Sequence, residues 1–399
     1  MKNTSPLLWM FLLGVLCEAN LFAAPACAQT PDFDQLAHNI VTGSVAVKPG
    51  EVVLITGGKH TVSLMEALAI EAQKAGGMVT ILLNSDKIIR SRNADVDERY
   101  LGQEPRYLAE WLKQVDVWIS LPDASDIKSL EAGVSTARLA SIAKAGDFFT
   151  PMLDGMKVRG VNLIYPTEER GKSFGLDGTT YVNMIWQAMG ADYKQISAHG
   201  NALRKMLQGS KTVHITSPSG TDIRFSVGNR PIFLDDGALP PDKAKSKQFL
   251  DRNVGLPSGA LSFAPVETSA TGKVVVPRAQ CRFEAINDIS FTFRNGRMED
   301  FKAGQNANCF AELKGSFRGA TDQFGGINIG LNPAWPIHDE NGAAYYPSTA
   351  GLVFVSIGDN QILGGSNKAE GTFSFPFPIV IATVEIDGKV VIKDGRLVL

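Results

Sequence analysis

Short apolar runs alternate with helical segments through the first half of the chain. The run at 52–56 precedes a segment of helical periodicity, in which Ser63 and Glu66 have capping-box spacing, and Gly76-Gly77 ends that segment. Parallel strands need such crossover helices, and strands buried on both faces are apolar throughout. The pattern predicts a doubly wound α/β fold with a parallel sheet. The further predicted elements are strands at 78–83, 117–121 and 161–165 and a helix at 106–115.

The pattern changes near Thr212, where short strands broken by turn signals replace the alternation. Asn295-Gly296 and Asp387-Gly388 each stand between apolar runs, and this type of dipeptide is a strong hairpin signal. We therefore predict an α/β domain at 29–205 and a mixed α+β domain at 206–399.

The first 28 residues have the parts of an export signal. Lys2 gives a positive start, residues 6–17 are mostly apolar, and Ala26-Cys27-Ala28 fits a small-residue cleavage site. This apolar run is shorter than the roughly 20 residues that span a bilayer. We expect a periplasmic or secreted protein that begins near Gln29, and a lipoprotein acylated at Cys27 is the alternative.

Charge and cysteine content restrict the partners and the compartment. Lys and Arg number 39 against 41 Asp and Glu, and no basic stripe stands out, so we expect no nucleic acid partner. No other apolar stretch is long enough to span a membrane. The mature chain keeps only Cys281 and Cys309, which can form a disulfide in an oxidising compartment, and two buried thiols are the alternative.

Several motifs follow one another in a characteristic order along the mature chain. The motifs are Lys48-Pro49-Gly50-Glu51, Ser217-Pro218-Ser219-Gly220-Thr221-Asp222, Leu256-Pro257-Ser258-Gly259, Ile329-Gly330-Leu331-Asn332-Pro333, Ile357-Gly358-Asp359-Asn360 and Val384-Glu385-Ile386-Asp387-Gly388. In this order the chain resembles the aminopeptidase T (thermophilic leucyl aminopeptidase) metallopeptidases over nearly its whole mature length.

The resemblance implies a metal-dependent exopeptidase that acts on peptides and is usually a homodimer. Two metal ions, held by Glu, His and Asp of the second domain, would activate water and anchor the peptide amine. The chain departs from this pattern at all five ligand positions. The residues in place of the two glutamates, the histidine and the His-x-Asp pair are Ala260, Gly326, Phe354, Ser374 and Pro376.

These replacements predict a pocket without a metal cofactor. No histidine follows His338, and Asp359 and Glu370 are the only carboxylates between Gly351 and Val384. Zinc and related metals need several converging N, O or S donors. We predict that the five replacing residues and Asp359 border the emptied pocket.

Three polar residues are candidates for catalysis beside this pocket. His338 and Asp339 follow Trp335 in a predicted loop and could act as an acid/base pair, and a solvated turn is the alternative. Glu267 lies in the Pro265-x-Glu-x-Ser269 block, where a general base or an amine anchor would suit it. An ion-paired surface residue is the alternative for Glu267.

Aromatic residues suggest what the pocket would bind. Phe354 and the alternating Phe373, Phe375 and Phe377 would make it apolar and suited to a small aromatic or hydrophobic ligand. Ordinary strand packing is the alternative. His60 lies at the carboxyl edge of the predicted parallel sheet, where α/β folds bind ligands, and a solvated turn histidine is its alternative.

Three functions remain open on the sequence alone. The first is a metal-free protein of aminopeptidase T fold that binds or transforms a small molecule. The second is an active metal-dependent aminopeptidase with ligands recruited from His338, Asp339, Asp359 and Glu267. The third is a non-catalytic partner subunit, since a dimerising fold can keep its interface after losing its chemistry.

Overall fold

The computed structural model describes residues 31–335 and 348–399. The predicted export signal and the candidates His338 and Asp339 lie outside the described residues. Within the described ranges, no helix has both the length and the apolar character needed to cross a membrane.

A parallel sheet organises the first part of the chain, as predicted. Its strand order is β2-β1-β3-β4-β8, with every neighbouring pair parallel. Val53 and Ile55 pack against helices on one face of the sheet and Leu54 packs on the other, which makes the fold doubly wound. Numbered in chain order, its strands are β1 (Val52–Gly58), β2 (Met78–Asn84), β3 (Val117–Ser120), β4 (Arg159–Leu163) and β8 (Asn253–Leu256).

Helices connect and cover these strands. The helix predicted from Ser63 is present, but its capping box is not, because the helix begins at Val62 and the Thr61 hydroxyl instead donates to the Gly58 carbonyl. The α-helices are α1 (Phe33–Asn39), α2 (Val62–Lys74), α3 (Asp86–Ala94), α4 (Arg106–Leu112), α5 (Ile127–Glu131), α6 (Thr136–Lys144), α7 (Phe149–Asp154), α8 (Glu168–Ser173), α9 (Gly178–Met189), α10 (Tyr193–Leu207) and α11 (Ala307–Gly315).

Two further sheets form the second part of the chain. The larger has the order β12-β11-β10-β6-β5-β16-β17-β18 and the smaller, here called sheet C, has the order β15-β14-β13-β9-β7. The larger sheet contains β5 (Val213–Thr216), β6 (Asp222–Phe225), β10 (Thr271–Cys281), β11 (Glu284–Arg294), β12 (Arg297–Lys302), β16 (Thr383–Ile386), β17 (Lys389–Lys393) and β18 (Arg396–Leu397). Sheet C contains β7 (Ile232–Asp235), β9 (Ala260–Phe263), β13 (Phe324–Gly330), β14 (Val353–Gly358) and β15 (Ser374–Ile379).

Both predicted hairpin turns are present. Asn295-Gly296 joins β11 to β12 and Asp387-Gly388 joins β16 to β17, with φ positive at all four residues. Positive φ at both central positions is the geometry of a type I′ turn, which explains the Asn-Gly and Asp-Gly pairs.

One aromatic core lies between the larger sheet and one face of sheet C. The ring of Phe377 lies 4.7 Å from that of Phe291, and the ring of Phe375 lies 4.8 Å from that of Phe310. Phe373 is likewise buried in this core. The suggestion that these three phenylalanines line the pocket is therefore wrong, because alternation along β15 directs them away from the face that bears Ser374 and Pro376.

The chain crosses between its two parts more than once. Strand β8 falls within the predicted second domain, yet it pairs with β4 and completes the parallel sheet. The predicted division at residue 205 does not account for this return.

A disulfide joins Cys281 at the end of β10 to Cys309 in α11, with 6.2 Å between their Cα atoms.

Candidate functional site

Sheet C has two faces of opposite character. Leu261, Ile327 and Val355 point into the aromatic core, and the residues next to them along the strands point the other way. On that second face Ser262 pairs with Asn328, and Asn328 pairs with Phe354, in one cross-strand row. Because directly paired residues share a face, register brings together residues that lie far apart in sequence.

Four of the five replacing residues border one cavity of about 400 Å³ on this face, here called the Phe354 cavity. These four residues are Gly326, Phe354, Ser374 and Pro376. The cavity is also bordered by Ser262, Ile327, Asn328, Ser356 and Leu363.

Ala260 borders a neighbouring cavity of about 370 Å³, here called the Asp235 cavity. Ser262 and Asn328 line both cavities, which makes the two contiguous. Asn162 and Leu256, at the carboxyl ends of β4 and β8, form its opposite wall. The site therefore lies between sheet C and the carboxyl edge of the parallel sheet, where α/β folds commonly bind ligands.

Asp235 is a feature that the sequence reasoning missed. It pairs directly with Ala260 across β7 and β9, so that its carboxylate lies one strand from a position where the resemblance places a glutamate. Its Oδ1 accepts a hydrogen bond from the Ser258 hydroxyl at 2.5 Å, and its Oδ2 accepts one from the Gly255 amide at 2.8 Å. Burial raises the pKa of Asp235 to about 6, although these hydrogen bonds oppose the shift.

Neutral polar groups line the rest of the two cavities. The Asn328 amide donates to the Ser262 hydroxyl at 2.8 Å, while its Oδ1 accepts no hydrogen bond from the described residues. The Ser356 hydroxyl donates to the Gly326 carbonyl at 3.2 Å. A buried acceptor without a partner favours a ligand that can donate to it.

A leucine fills the space beside Gly326. A Cβ added at Gly326 would lie 2.8 Å from Leu363 Cδ1 and 3.2 Å from Ser356 Oγ. A glutamate at this position would require Leu363 to move. The glycine and the leucine therefore fit each other, and an apolar side chain stands where a carboxylate was expected.

The metals that the fold family implies do not fit these residues. The linings of the two cavities offer one carboxylate, three amides and four hydroxyls, and imidazole and thiolate donors are missing from both. Across residues 31–335 and 348–399, no three His, Cys, Asp or Glu side chains are grouped so that they could hold a metal ion. A zinc or dinuclear site needs more anionic or imidazole donors than are present.

Glu267 lies outside both cavities. Its carboxylate binds Arg230 at 2.5 Å and accepts hydrogen bonds from the Ser366 amide at 2.6 Å and from Asn360 Nδ2 at 3.2 Å. Burial raises the pKa of this carboxyl, but these hydrogen bonds outweigh it and hold the pKa below its usual value. This bonding suits an anchor for the loop after β14 better than a general base.

Asp359 and His60 also lie apart from the two cavities. The Asp359 carboxylate accepts hydrogen bonds from the Gln361 and Ala369 amides, and it borders a different cavity. The ring of His60 packs edge-on against Tyr165 at 5.7 Å, and burial lowers the pKa of His60.

Comparisons with known proteins bear on the family and the fold of the chain. The model of the thermophilic metalloprotease (M29) family matches residues 29–322. No curated protein sequence matches the chain. The structure of wild-type AmpT from Thermus thermophilus shares the fold with a TM-score of 0.72 at 16% identity, covering 92% of this chain and 99% of that chain.

A second solved structure is also similar. The 2,5-dihydroxypyridine dioxygenase from Pseudomonas putida KT2440 has a TM-score of 0.59 at 17% identity, covering 92% of this chain and 96% of that chain. At these identities the structural likeness establishes a shared fold. Because the family model spans most of the sequence, the chain belongs to the thermophilic metalloprotease (M29) family.

Proposed function

We propose that this chain is an exported, metal-independent member of the M29 family that binds a small organic molecule in the Phe354 and Asp235 cavities. The observation that carries the proposal is the composition of the ligand-facing side of sheet C. The five positions where the family resemblance expects metal ligands offer one hydroxyl, that of Ser374, and are otherwise apolar or without a side chain.

The two cavities suit a compact molecule with a flat apolar part. Each has a volume in the lower range of small-molecule sites, and together they bring Phe354 and Phe233 near hydroxyls that can hydrogen-bond a ligand. The dioxygenase of the same fold is named for 2,5-dihydroxypyridine, a small hydroxylated ring. That name supports an aromatic ligand as the first class to test.

Binding is tested with benzyl alcohol as a neutral aromatic probe on the mature protein. We expect saturable binding by calorimetry, and we expect Ser374→Trp to abolish it, because Ser374 is exposed at the rim and a tryptophan there would fill the Phe354 cavity. Lys273→Trp, on an exposed position of the larger sheet, is the matched control. Binding unaffected by Ser374→Trp, or failure of the wild-type protein to bind either benzyl alcohol or its charged relatives benzylamine and benzoate, would contradict the proposal.

Metal independence is tested by elemental analysis of protein purified without added metal. We expect no stoichiometric zinc, cobalt, manganese or iron, and a melting temperature unchanged by chelator, since a metal bound only to the native state would raise it. About one metal ion per chain, together with a melting temperature that falls on chelation, would overturn this part of the proposal.

A metal-dependent aminopeptidase is the second candidate. Asp235 favours it, because a carboxylate stands directly opposite Ala260. Hydrolysis of leucine p-nitroanilide in the presence of cobalt, manganese or zinc would support this activity if Asp235→Asn abolished it. We expect no such metal-stimulated hydrolysis.

A further inference from the structure

Asp235 places a single negative charge in an otherwise uncharged cavity. Among the described residues that line the Asp235 and Phe354 cavities, it is the only ionisable side chain. The lining of the Asp235 cavity includes Phe233, Leu250, Leu256 and Pro257, which are apolar. A charge in such surroundings interacts strongly with a ligand, because the local dielectric is low.

This carboxylate has no cation of its own within the described part of the chain. The charge of Lys243 acts on Asp235, but the Lys243 Nζ binds Asp236 Oδ1 at 2.5 Å and the Leu234 carbonyl at 2.8 Å. The Lys243 charge lowers the pKa of Asp235 electrostatically, without a hydrogen bond between the two side chains. The groups that hydrogen-bond the Asp235 carboxylate, which are the Ser258 hydroxyl and the Gly255 and Gly237 amides, are all neutral.

The carboxylate also keeps acceptor capacity for a ligand. A carboxylate can accept about four hydrogen bonds, and the Ser258, Gly255 and Gly237 donors do not use them all. Glycine at position 255 makes this arrangement possible, because a Cβ there would lie 2.8 Å from Asp235 Oδ2. The Ser258 and Gly255 bonds fix the carboxylate, and its remaining lone pairs are left for a donor in the cavity.

We infer that the site selects ligands that carry a protonated amine or a protonated ring nitrogen beside an apolar or aromatic group. The nitrogen donates to Asp235, and the apolar part lies along Phe233 towards Phe354. Anionic ligands are disfavoured, because a carboxylate or phosphate would meet the Asp235 charge without a compensating cation. This inference rests on the proposed function, since it names the ligand class of the same two cavities.

The test compares three probes that share one ring and differ in head group. Benzylamine, benzyl alcohol and benzoate are titrated separately into the wild-type mature protein by calorimetry near pH 7.5. We expect benzylamine to bind roughly tenfold or more tightly than benzyl alcohol, as a charge-assisted hydrogen bond allows, and benzoate to bind most weakly. This comparison does not depend on the folding of any variant.

Two variants then attribute the preference to Asp235. Asp235→Asn keeps the shape of the side chain and should remove the advantage of benzylamine over benzyl alcohol. Asp222→Asn removes the same charge from β6 in the other sheet and should leave that advantage unchanged.

The outcomes separate the inference from the proposed function. If benzyl alcohol and benzylamine bind equally well, the inference fails while the proposed function stands. If neither they nor benzoate binds, the proposed function fails as well. A benzylamine preference that survives in a folded Asp235→Asn protein would also overturn the inference.

Discussion

At the scale of single residues, Asp235 combines a cavity position with an altered acidity. Its folded pKa of about 6 lies above the ordinary value of 3.8 for an aspartate, so the folded chain holds this proton more tightly than the unfolded chain does. Its contribution to stability is therefore greatest below the unfolded pKa and declines as pH rises from about 4 to about 6.

We accordingly expect Asp235→Asn to raise the free energy of unfolding at pH 7.5, by at most about 3 kcal/mol. The side chain keeps its shape, and the cost of the buried charge is removed. Urea unfolding of wild type and variant at several pH values measures the difference, which should shrink as pH falls to 4. A variant that is less stable than wild type at pH 7.5 would contradict this expectation.

Glu267 shows the opposite behaviour. Its pKa is lowered, so the stability it contributes is present at neutral pH and is lost as pH falls through the folded pKa, below the ordinary value of 4.5. Its role as loop anchor could not be predicted from the sequence, because its partners Arg230, Asn360 and Ser366 lie up to 99 residues away.

Glu267→Gln should therefore destabilise the protein by roughly 3 kcal/mol at pH 7, because Arg230 would lose its anionic partner in a partly buried site. Chemical denaturation gives this value. Glu299→Gln is the control, since its pair with Arg294 is exposed and worth less than about 1 kcal/mol. Equal effects of the two substitutions would reject the anchor role.

At the scale of secondary structure elements, strand type was easier to predict than strand register. Four of the five parallel strands and the two hairpins followed from apolar runs and turn dipeptides, which are local signals. The pairing of Asp235 with Ala260 depends on how β7 and β9 align after an intervening segment that also contains β8, and no local pattern encodes that alignment. Similarly, the phenylalanines of β15 alternate clearly, but only their partners reveal which face is the core.

Strand β2 lies at the edge of the parallel sheet and is unusually apolar for an exposed element. Met78, Ile81, Leu82 and Leu83 are 56%, 45%, 44% and 48% exposed. An edge strand with free backbone groups and apolar side chains invites pairing with another chain. The homodimer expected from the family resemblance could be built along this strand.

We expect the wild-type protein to sediment as a dimer and the double variant Ile81→Lys and Leu83→Lys to sediment as a monomer. Lysines on an edge strand oppose pairing between sheets. Ile70→Lys, at an equally exposed position on α2, should leave the dimer intact. A monomeric wild-type protein, or a lysine double variant that stays dimeric, would refute this role for β2.

At the scale of the whole molecule, the two halves depend on each other. Strand β8 completes the parallel sheet, and its end forms one wall of the Asp235 cavity while sheet C forms the other. The sequence predicted an α/β pattern followed by a mixed α+β pattern. It did not predict that a strand of the second half completes the parallel sheet of the first.

A fragment spanning 29–205 should therefore fail to fold, because β4 would lose its partner β8 and expose its edge. Circular dichroism during heating should show no cooperative transition for the fragment and a clear one for the mature chain. A cooperative melt of the fragment would show that the parallel sheet is stable with four strands.

The return of β8 also sets an order of events during biosynthesis. A chain that emerges from its amino end presents β4, ending at Leu163, long before β8 appears at Asn253. Throughout that interval the four earlier strands lack the partner that completes their sheet, and any extended polypeptide nearby can pair with them. The molecule is thus most open to misassembly after its first half has emerged, and only the later segment ends that exposure.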